Sequence, residues 1–261
     1  MRVQELFDLK GKVAIVTGGG RGVGKYIAHG FAEAGADVVI GSRKIQNCEQ
    51  VANELKDFGV RALALECDVA IVEDIEKFVD KVIQEFGRID VLVNNSGINT
   101  MAPTLEYPLS KWEKTITVNL RAPFLLSQKV AKQMVSQESG KIINIVSVAG
   151  LKGTPEETNP HIAYGASKGG LITMTKDFAI KLGRYNIQVN ALALGLFRSD
   201  ITARLDTDQF KSLKEKLISE IPLRRNAGEE EIKGVTVFLA SAASDYVTGA
   251  IIPVDGGLCA Q

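Results

Sequence analysis

A tyrosine and a lysine stand four positions apart in HIAYGASKGG, residues 161–170, with only Gly165, Ala166 and Ser167 between them. On a helix this spacing puts Tyr164 and Lys168 on one face, so both can project into one cleft. The small residues between them let a ligand come close. A free tyrosine titrates near ~10. An ammonium at ~4 Å, in an effective dielectric of ~20, favours phenolate by roughly 4 kcal/mol, or about three pKa units. The expected outcome is a phenol that trades its proton near neutral pH, as a general acid or base must.

A second group of residues suits a phosphate. TGGGRGVG, Thr17 to Gly24, follows an apolar run and opens a helical one. Glycines there permit a tight turn and close approach to a pyrophosphate, which a helix N-terminus attracts. Gly18, Gly22 and Gly24 give G-x-x-x-G-x-G, with Gly20, Arg21 and Val23 between; no Gly-Lys-Ser/Thr of a Walker loop follows. The next apolar run ends Ile40-Gly41-Ser42-Arg43-Lys44, without the acid that would accept adenosine ribose hydroxyls. Arg43 can instead grip a 2′-phosphate as a bidentate fork, Ser42 can donate a hydrogen bond, and Arg21 is a second cation. The expected cofactor is NADP(H). Ser147 is not read as a hydrolase nucleophile, because G-x-S-x-G is absent.

Positioning these groups requires a scaffold. Seven apolar runs begin at Val13, Asp37, Arg61, Asp90, Lys141, Gln188 and Ala250, and alternate with amphipathic stretches such as Glu73 to Gly87. Mostly consecutive apolar residues suit strands buried on both faces. The pattern predicts an α/β fold, a doubly wound parallel sheet in a three-layer sandwich, as one domain over residues 1–261. The charged segment from Asp200 to Gly228 reads as a helical excursion over the site. Lys+Arg and Asp+Glu balance at 31 each, which excludes a nucleic-acid footprint, and no apolar stretch reaches membrane-spanning length. Cys48, Cys67 and Cys259 are widely spaced and only two histidines occur, so neither a disulfide framework nor a metal site is expected; a reducing cytoplasm is.

With these motifs in order, the chain resembles the short-chain dehydrogenase/reductase family in its single-domain branch, and within it the 3-oxoacyl-[acyl-carrier-protein] reductase and gluconate 5-dehydrogenase-like members. Besides TGGGRGVG, the likeness rests on CDV at Cys67, NNSG at Asn94, VNL at Val118, NIVS at Asn144, YGASK at Tyr164, LG at Leu194 and VDGG at Val254. It implies a Rossmann-like seven-stranded sheet and a catalytic tetrad of Asn119, Ser147, Tyr164 and Lys168. It further implies that Asp68 and Val69 line the adenine site and that Asn95 and Gly97 border the cofactor. The segment from Leu194 through Gly195 and Phe197 to Ser199 would cover the nicotinamide.

Carried further, the resemblance implies hydride transfer to a carbonyl carbon while Tyr164 protonates the oxygen, Ser147 stabilises it, Lys168 holds the ribose and Asn119 holds a water. The expected substrate is a small-molecule or acyl-carrier-linked carbonyl, first a 3-oxoacyl thioester or similar β-keto compound. The alternatives are a sugar acid or polyol, and a catalytically silent NADP-sensing protein. A homotetramer is implied through the helix candidates Leu120–Val135 and Ala163–Leu182. Three departures stand out: Ser96 in place of alanine, Leu194 in place of proline, and an extended Ser147-to-Tyr164 spacing. The extra residues fall in LKGTPEETNPH, a polar loop expected to shape the substrate pocket. His161 is expected to touch substrate; His29 is expected to be structural.

Overall fold

The computed structural model describes residues 2–198, 202 and 207–260. The apolar runs form strands β1 (Val13–Thr17), β2 (Asp37–Ser42), β3 (Ala62–Glu66), β4 (Val91–Asn94), β5 (Gly140–Ser147), β6 (Ile187–Leu194) and β7 (Ile251–Val254). Between them lie helices α1 (Gly22–Glu33), α2 (Ile45–Lys56), α3 (Val72–Phe86), α4 (Leu109–Ile116), α5 (Ala122–Gln137), α6 (Ile162–Leu182), α7 (Lys211–Glu220) and α8 (Glu229–Ala240). All seven strands pair in parallel, in the order β3-β2-β1-β4-β5-β6-β7. The predicted doubly wound, Rossmann-like sheet is therefore present.

Strand periodicity explains the three layers. Along β1, Ala14 and Val16 face a core shared with Ile27, Phe31, Val51, Leu55 and Leu239 of α1, α2 and α8. Val13 and Ile15 face the opposite core, with Phe78 and Val82 of α3 and Leu126 and Met134 of α5. Each such aliphatic side chain contributes about 1.5–3 kcal/mol when fully buried. A strand wanted by two cores must be apolar at every position, which is why these runs do not alternate.

Chain order reverses beside β1, which pairs with β2 on one side and β4 on the other. The crevice beyond the carboxyl ends of strands at such a switch point is the ligand site of this architecture. The ends of β1, β2, β4, β5 and β6 carry Gly18, Ser42, Asn95, Ser147 and Gly195. The expected helical excursion contains α7, whose Leu217 and Glu220 reach the same crevice. The helices expected at Leu120–Val135 and Ala163–Leu182 run at Ala122–Gln137 and Ile162–Leu182. Among the described residues no helix is long and apolar enough to cross a membrane.

Candidate active site

A cavity of about 640 Å³ fills the crevice, within the range that holds a cofactor and a small substrate. Its floor is the β1–α1 turn. Gly18 takes a left-handed φ of +67°, and a Cβ on Gly24 would lie 2.4 Å from both Asn95 Nδ2 and the Gly18 carbonyl oxygen. The first turn of α1 thus sits closer to the loop than any side chain allows, leaving the helix N-terminus open to an anion. Asn95 fixes this arrangement: its Nδ2 donates to the carbonyls of Thr17 (2.8 Å) and Gly18 (3.3 Å). Its backbone N–H donates to Thr17 Oγ1 at 3.1 Å. Gly20, Arg21, Gly22 and Val23 line the same floor, and Gly97 lines the wall after β4.

At the far end Ser42, Arg43 and Lys44 line the cavity together with Asn47 of α2. Ser42, expected to donate to a phosphate, is bonded within its own turn. Its hydroxyl donates to the Lys44 carbonyl (3.1 Å) and accepts from Lys44 N–H and Cys48 Sγ, both at 3.2 Å. A hydroxyl has one proton, and here it closes the β2–α2 turn. Asn47 was not singled out from sequence. A Cβ on Gly20 would lie 3.1 Å from Asn47 Cβ, so the first turn of α2 abuts the glycine loop.

The remaining wall is built from strand ends. Asp68 caps its own turn, accepting from Ala70 N–H at 3.0 Å, and Val69 beside it is buried; both face the cavity. Leu194 and Gly195 line the opposite side, Gly195 so close to β7 that a Cβ would meet Asp255 Cα at 2.8 Å. Phe197 lines the cavity but packs its ring into the core and bridges to Ala227. Ser199 lies outside the described residues.

Tyr164, Ser147 and Lys168 converge on this wall. Ser147 ends β5, hydrogen-bonds the Tyr164 phenol and accepts from Ala149 N–H at 3.2 Å. The lysine differs from expectation. Its Nζ donates to the Ile145 carbonyl at 2.7 Å and lies 5.7 Å from the Tyr164 ring centroid. Burial pushes the phenol's pKa up, against a smaller downward pull from the Ser147 hydrogen bond. Burial also pushes Lys168 down to about 8. The phenol is thus shifted up rather than down, since burial disfavours both charges and the ammonium is held on a backbone carbonyl. The phenol keeps its proton at neutral pH.

Asn119 lies behind the cavity wall, fully buried on a π-helical turn, Thr117–Arg121, between α4 and α5. Its Oδ1 accepts from Ile98 N–H and its Nδ2 donates to Ile98 O, both at 2.9 Å, and to Ser167 Oγ at 3.1 Å. Both amide protons are in use, so the side chain pins the segment after β4 to α6. A Cβ on Gly97 would lie 3.5 Å from Asn119 Oδ1 and 3.7 Å from Lys168 Nζ, which places those two atoms around one glycine.

The extended loop lies over the reactive end. Glu156 accepts from Thr104 N–H (2.8 Å) and Thr104 Oγ1 (2.5 Å), tying the loop to the segment after β4. His161, 7% exposed, packs its ring 5.4 Å from that of Tyr164, centroid to centroid. Its Nδ1 meets Asn99 Nδ2 at 3.4 Å and its Nε2 meets Thr154 Oγ1 at 3.1 Å. Asn99, Thr154, Asn159 and His161 give the cavity polar lining, and Met101, Leu196, Leu217 and Leu258 give it apolar lining. Asn99 had no sequence signal, because its role depends on a loop sixty positions away. His29 instead sits on α1, bonded to Glu54 at 3.1 Å and edge-on to Phe58.

Known proteins match nearly the whole chain. The model of the family described as enoyl-(acyl carrier protein) reductase matches residues 18–259. A 3-oxoacyl-[acyl-carrier-protein] reductase, FabG, of Thermotoga maritima is 39% identical over 250 residues, covering 96% of this chain and 98% of that protein. The 5-keto-D-gluconate 5-reductase of Escherichia coli is 36% identical over 256 residues, covering 98% of each. A gluconate 5-dehydrogenase from Burkholderia cenocepacia, solved with NADP and tartrate, superposes with a TM-score of 0.92 at 36% identity over all of both chains.

Proposed function

Since the chain belongs to the short-chain dehydrogenase/reductase family of oxidoreductases, we propose that it is an NADPH-dependent carbonyl reductase whose substrate is a small hydroxylated keto acid. One observation carries the reaction class: Ser147, Tyr164 and Lys168 meet in the cavity whose floor is the glycine loop. The residues fit the cofactor. The Gly24 approach leaves a cradle that any Cβ would fill, and Arg43, Lys44 and Asn47, which line the cavity, would hold a 2′-phosphate. Three relatives of known structure are described with NADP bound.

When bound, the nicotinamide supplies the hydride exchanged with the carbonyl carbon. Tyr164 holds the proton that the carbonyl oxygen receives, and its raised pKa keeps that proton in place until the oxygen gains charge. Ser147 donates to the same oxygen, an interaction that strengthens as negative charge develops. Lys168, mostly protonated below its pKa of about 8, supplies a cation beside the phenol and a donor to the ribose hydroxyls. Asn119 holds the wall after β4 and the start of α6 in register; a water it recruits toward Lys168 would sit on its backbone or remaining lone pair. Asn95 and Gly97 border the cofactor, Asp68 and Val69 the adenine, and Leu194, Gly195 and Phe197 the nicotinamide.

The substrate reading rests on Asn99, Thr154, Asn159 and His161, which offer hydrogen bonds that an acyl chain would leave unmade. A 3-oxoacyl thioester is the second reading, favoured by the 39% identity to FabG and by the apolar lining at Met101, Leu196, Leu217 and Leu258. A panel read by NADPH consumption separates them. Turnover of 5-keto-D-gluconate at least about tenfold better than of acetoacetyl thioester is expected; the reverse order moves the assignment to the thioester. Tyr164→Phe should lower kcat by about 10²–10⁴-fold while NADPH still binds. If it lowers no turnover, the sensing role replaces the enzyme.

The same proposal takes residues 1–261 as one domain, with the free thiols Cys48, Cys67 and Cys259 suited to the cytoplasm. It also takes a tetramer built on α5 and α6, where Phe124 and Ile180 are exposed. Sizing chromatography checks the assembly.

A further inference from the structure

The polar lining of the cavity has a direction. With the Asn99 amide turned so that Nδ2, which carries only protons, faces the ring, it donates to His161 Nδ1 at 3.4 Å. That assigns the ring proton to Nε2, which donates to Thr154 Oγ1 at 3.1 Å. An accepting hydroxyl still has its own proton to give. Thr154 lines the cavity, so the series runs from Asn99 through the imidazole and ends on a donor facing the ligand. The ring of its middle member packs at a tilt 5.4 Å from that of Tyr164, which places the series beside the phenol. The extended loop that carries Thr154 is anchored by Glu156 on Thr104 and by Ala102 N–H on the Pro160 carbonyl at 3.0 Å. Lys152, also at the cavity, is tied to the Leu258 carbonyl at 3.0 Å. The donor is thereby held on a braced loop.

We propose that the Asn99–His161–Thr154 series is a specificity-determining device that donates, through the Thr154 hydroxyl, to an oxygen acceptor borne by the substrate near its reacting carbonyl. The acceptor is a hydroxyl or a carboxylate oxygen. This rests on the keto-acid reading above and names the group by which such a substrate is told from a plain ketone. His161 acts as a positioning residue here: it orients Thr154 and contributes no proton to the reduction.

The test compares four ketones: 5-keto-D-gluconate with both groups, D-fructose with hydroxyls only, acetoacetate with a carboxylate only, and cyclohexanone with neither. Thr154→Val removes the terminal donor at nearly constant volume. For at least one acceptor-bearing ketone, its kcat/KM relative to cyclohexanone should fall about tenfold, through KM rather than kcat. A drop for D-fructose assigns a hydroxyl, and a drop for acetoacetate a carboxylate. Thr154→Ser keeps the donor and should keep the discrimination. His161→Leu should reproduce the loss and His161→Gln, whose amide can donate in place of Nε2, should restore part of it. Near-equal losses on all four ketones, or a wild type that favours cyclohexanone, overturn the proposal. A wild type that reads the acceptor while preferring acetoacetyl thioester to 5-keto-D-gluconate removes the keto-acid reading and leaves this device standing. NADPH binding, followed by fluorescence, verifies that each variant is folded.

Discussion

Replacing Lys168 with methionine should separate what the lysine does for the reaction from what it does to the fold. Its side chain is 4% exposed, and burial lowers its pKa from 10.5 to about 8. That difference, 10.5 − 8 = 2.5 units, corresponds to about 3 kcal/mol by which the folded state disfavours the charged form. Methionine removes the charge, but it leaves the Ile145 carbonyl without its 2.7 Å donor, at a cost of about 1–3 kcal/mol. Near neutral pH the variant should therefore range from equal stability to about 2 kcal/mol more stable than wild type, while reductase activity is lost. The pH dependence fixes the cause. Between about 8 and 10.5 the unfolded lysine binds a proton that the folded one has released, so wild-type stability rises with pH through that window. Below about 8 the penalty is fully present. The variant's advantage should shrink as pH climbs through the window and then reverse. Urea denaturation of both proteins at a series of pH values measures this. A variant destabilised by more than about 2 kcal/mol near neutrality, or a difference that does not change with pH, would refute the reasoning.

Other outcomes follow from the same structure. Gly24→Ala puts a methyl 2.4 Å from Asn95 Nδ2 and the Gly18 carbonyl, so it should destabilise the fold by about 1–3 kcal/mol and abolish NADPH binding, as calorimetry would show. Arg43→Ala should reduce the preference for NADPH over NADH by about 10- to 100-fold in kcat/KM; equal use of both coenzymes by wild type refutes the phosphate clamp. Cys67 is 2% exposed with a pKa pushed up to about 12, and Cys48 is fully buried and also shifted up. Iodoacetamide should accordingly label native protein first at Cys259, the least buried thiol, as peptide mass spectrometry would detect.

Strand positions were legible because two cores claim them: Val13 to Val16 have no face on which a polar residue could sit. Tyr164 and Lys168 were legible because helical spacing fixes their common face. What spacing could not supply is the balance of energies once both groups are buried. The sequence argument placed the cation against the phenol, whereas the fold buries Lys168, gives its Nζ a backbone carbonyl and leaves it 5.7 Å from the Tyr164 ring. Ser42 adds a contact that spacing did not show, a hydrogen bond within its own turn. Asn47 and Asn99 carried no local pattern. Each matters through a loop brought to it by tertiary structure, Gly20 for one and Thr154–His161 for the other.

The π-helical turn at Thr117–Arg121 lets one long rod satisfy two angular demands. On its N-terminal side Thr115 is fully buried and hydrogen-bonds Thr100 at 2.7 Å, holding the loop beside the reactive end. On its C-terminal side Leu126, Val130 and Met134 meet the sheet. A residue on an α-helix advances about 100°, so an uninterrupted helix of the same length would swing one of these sets off its target. The widened turn works as a phase shifter, and Asn119 occupies the step where the phase changes. Trimming one residue there would restore the α-helical phase, and either the loop or the sheet would lose its hold.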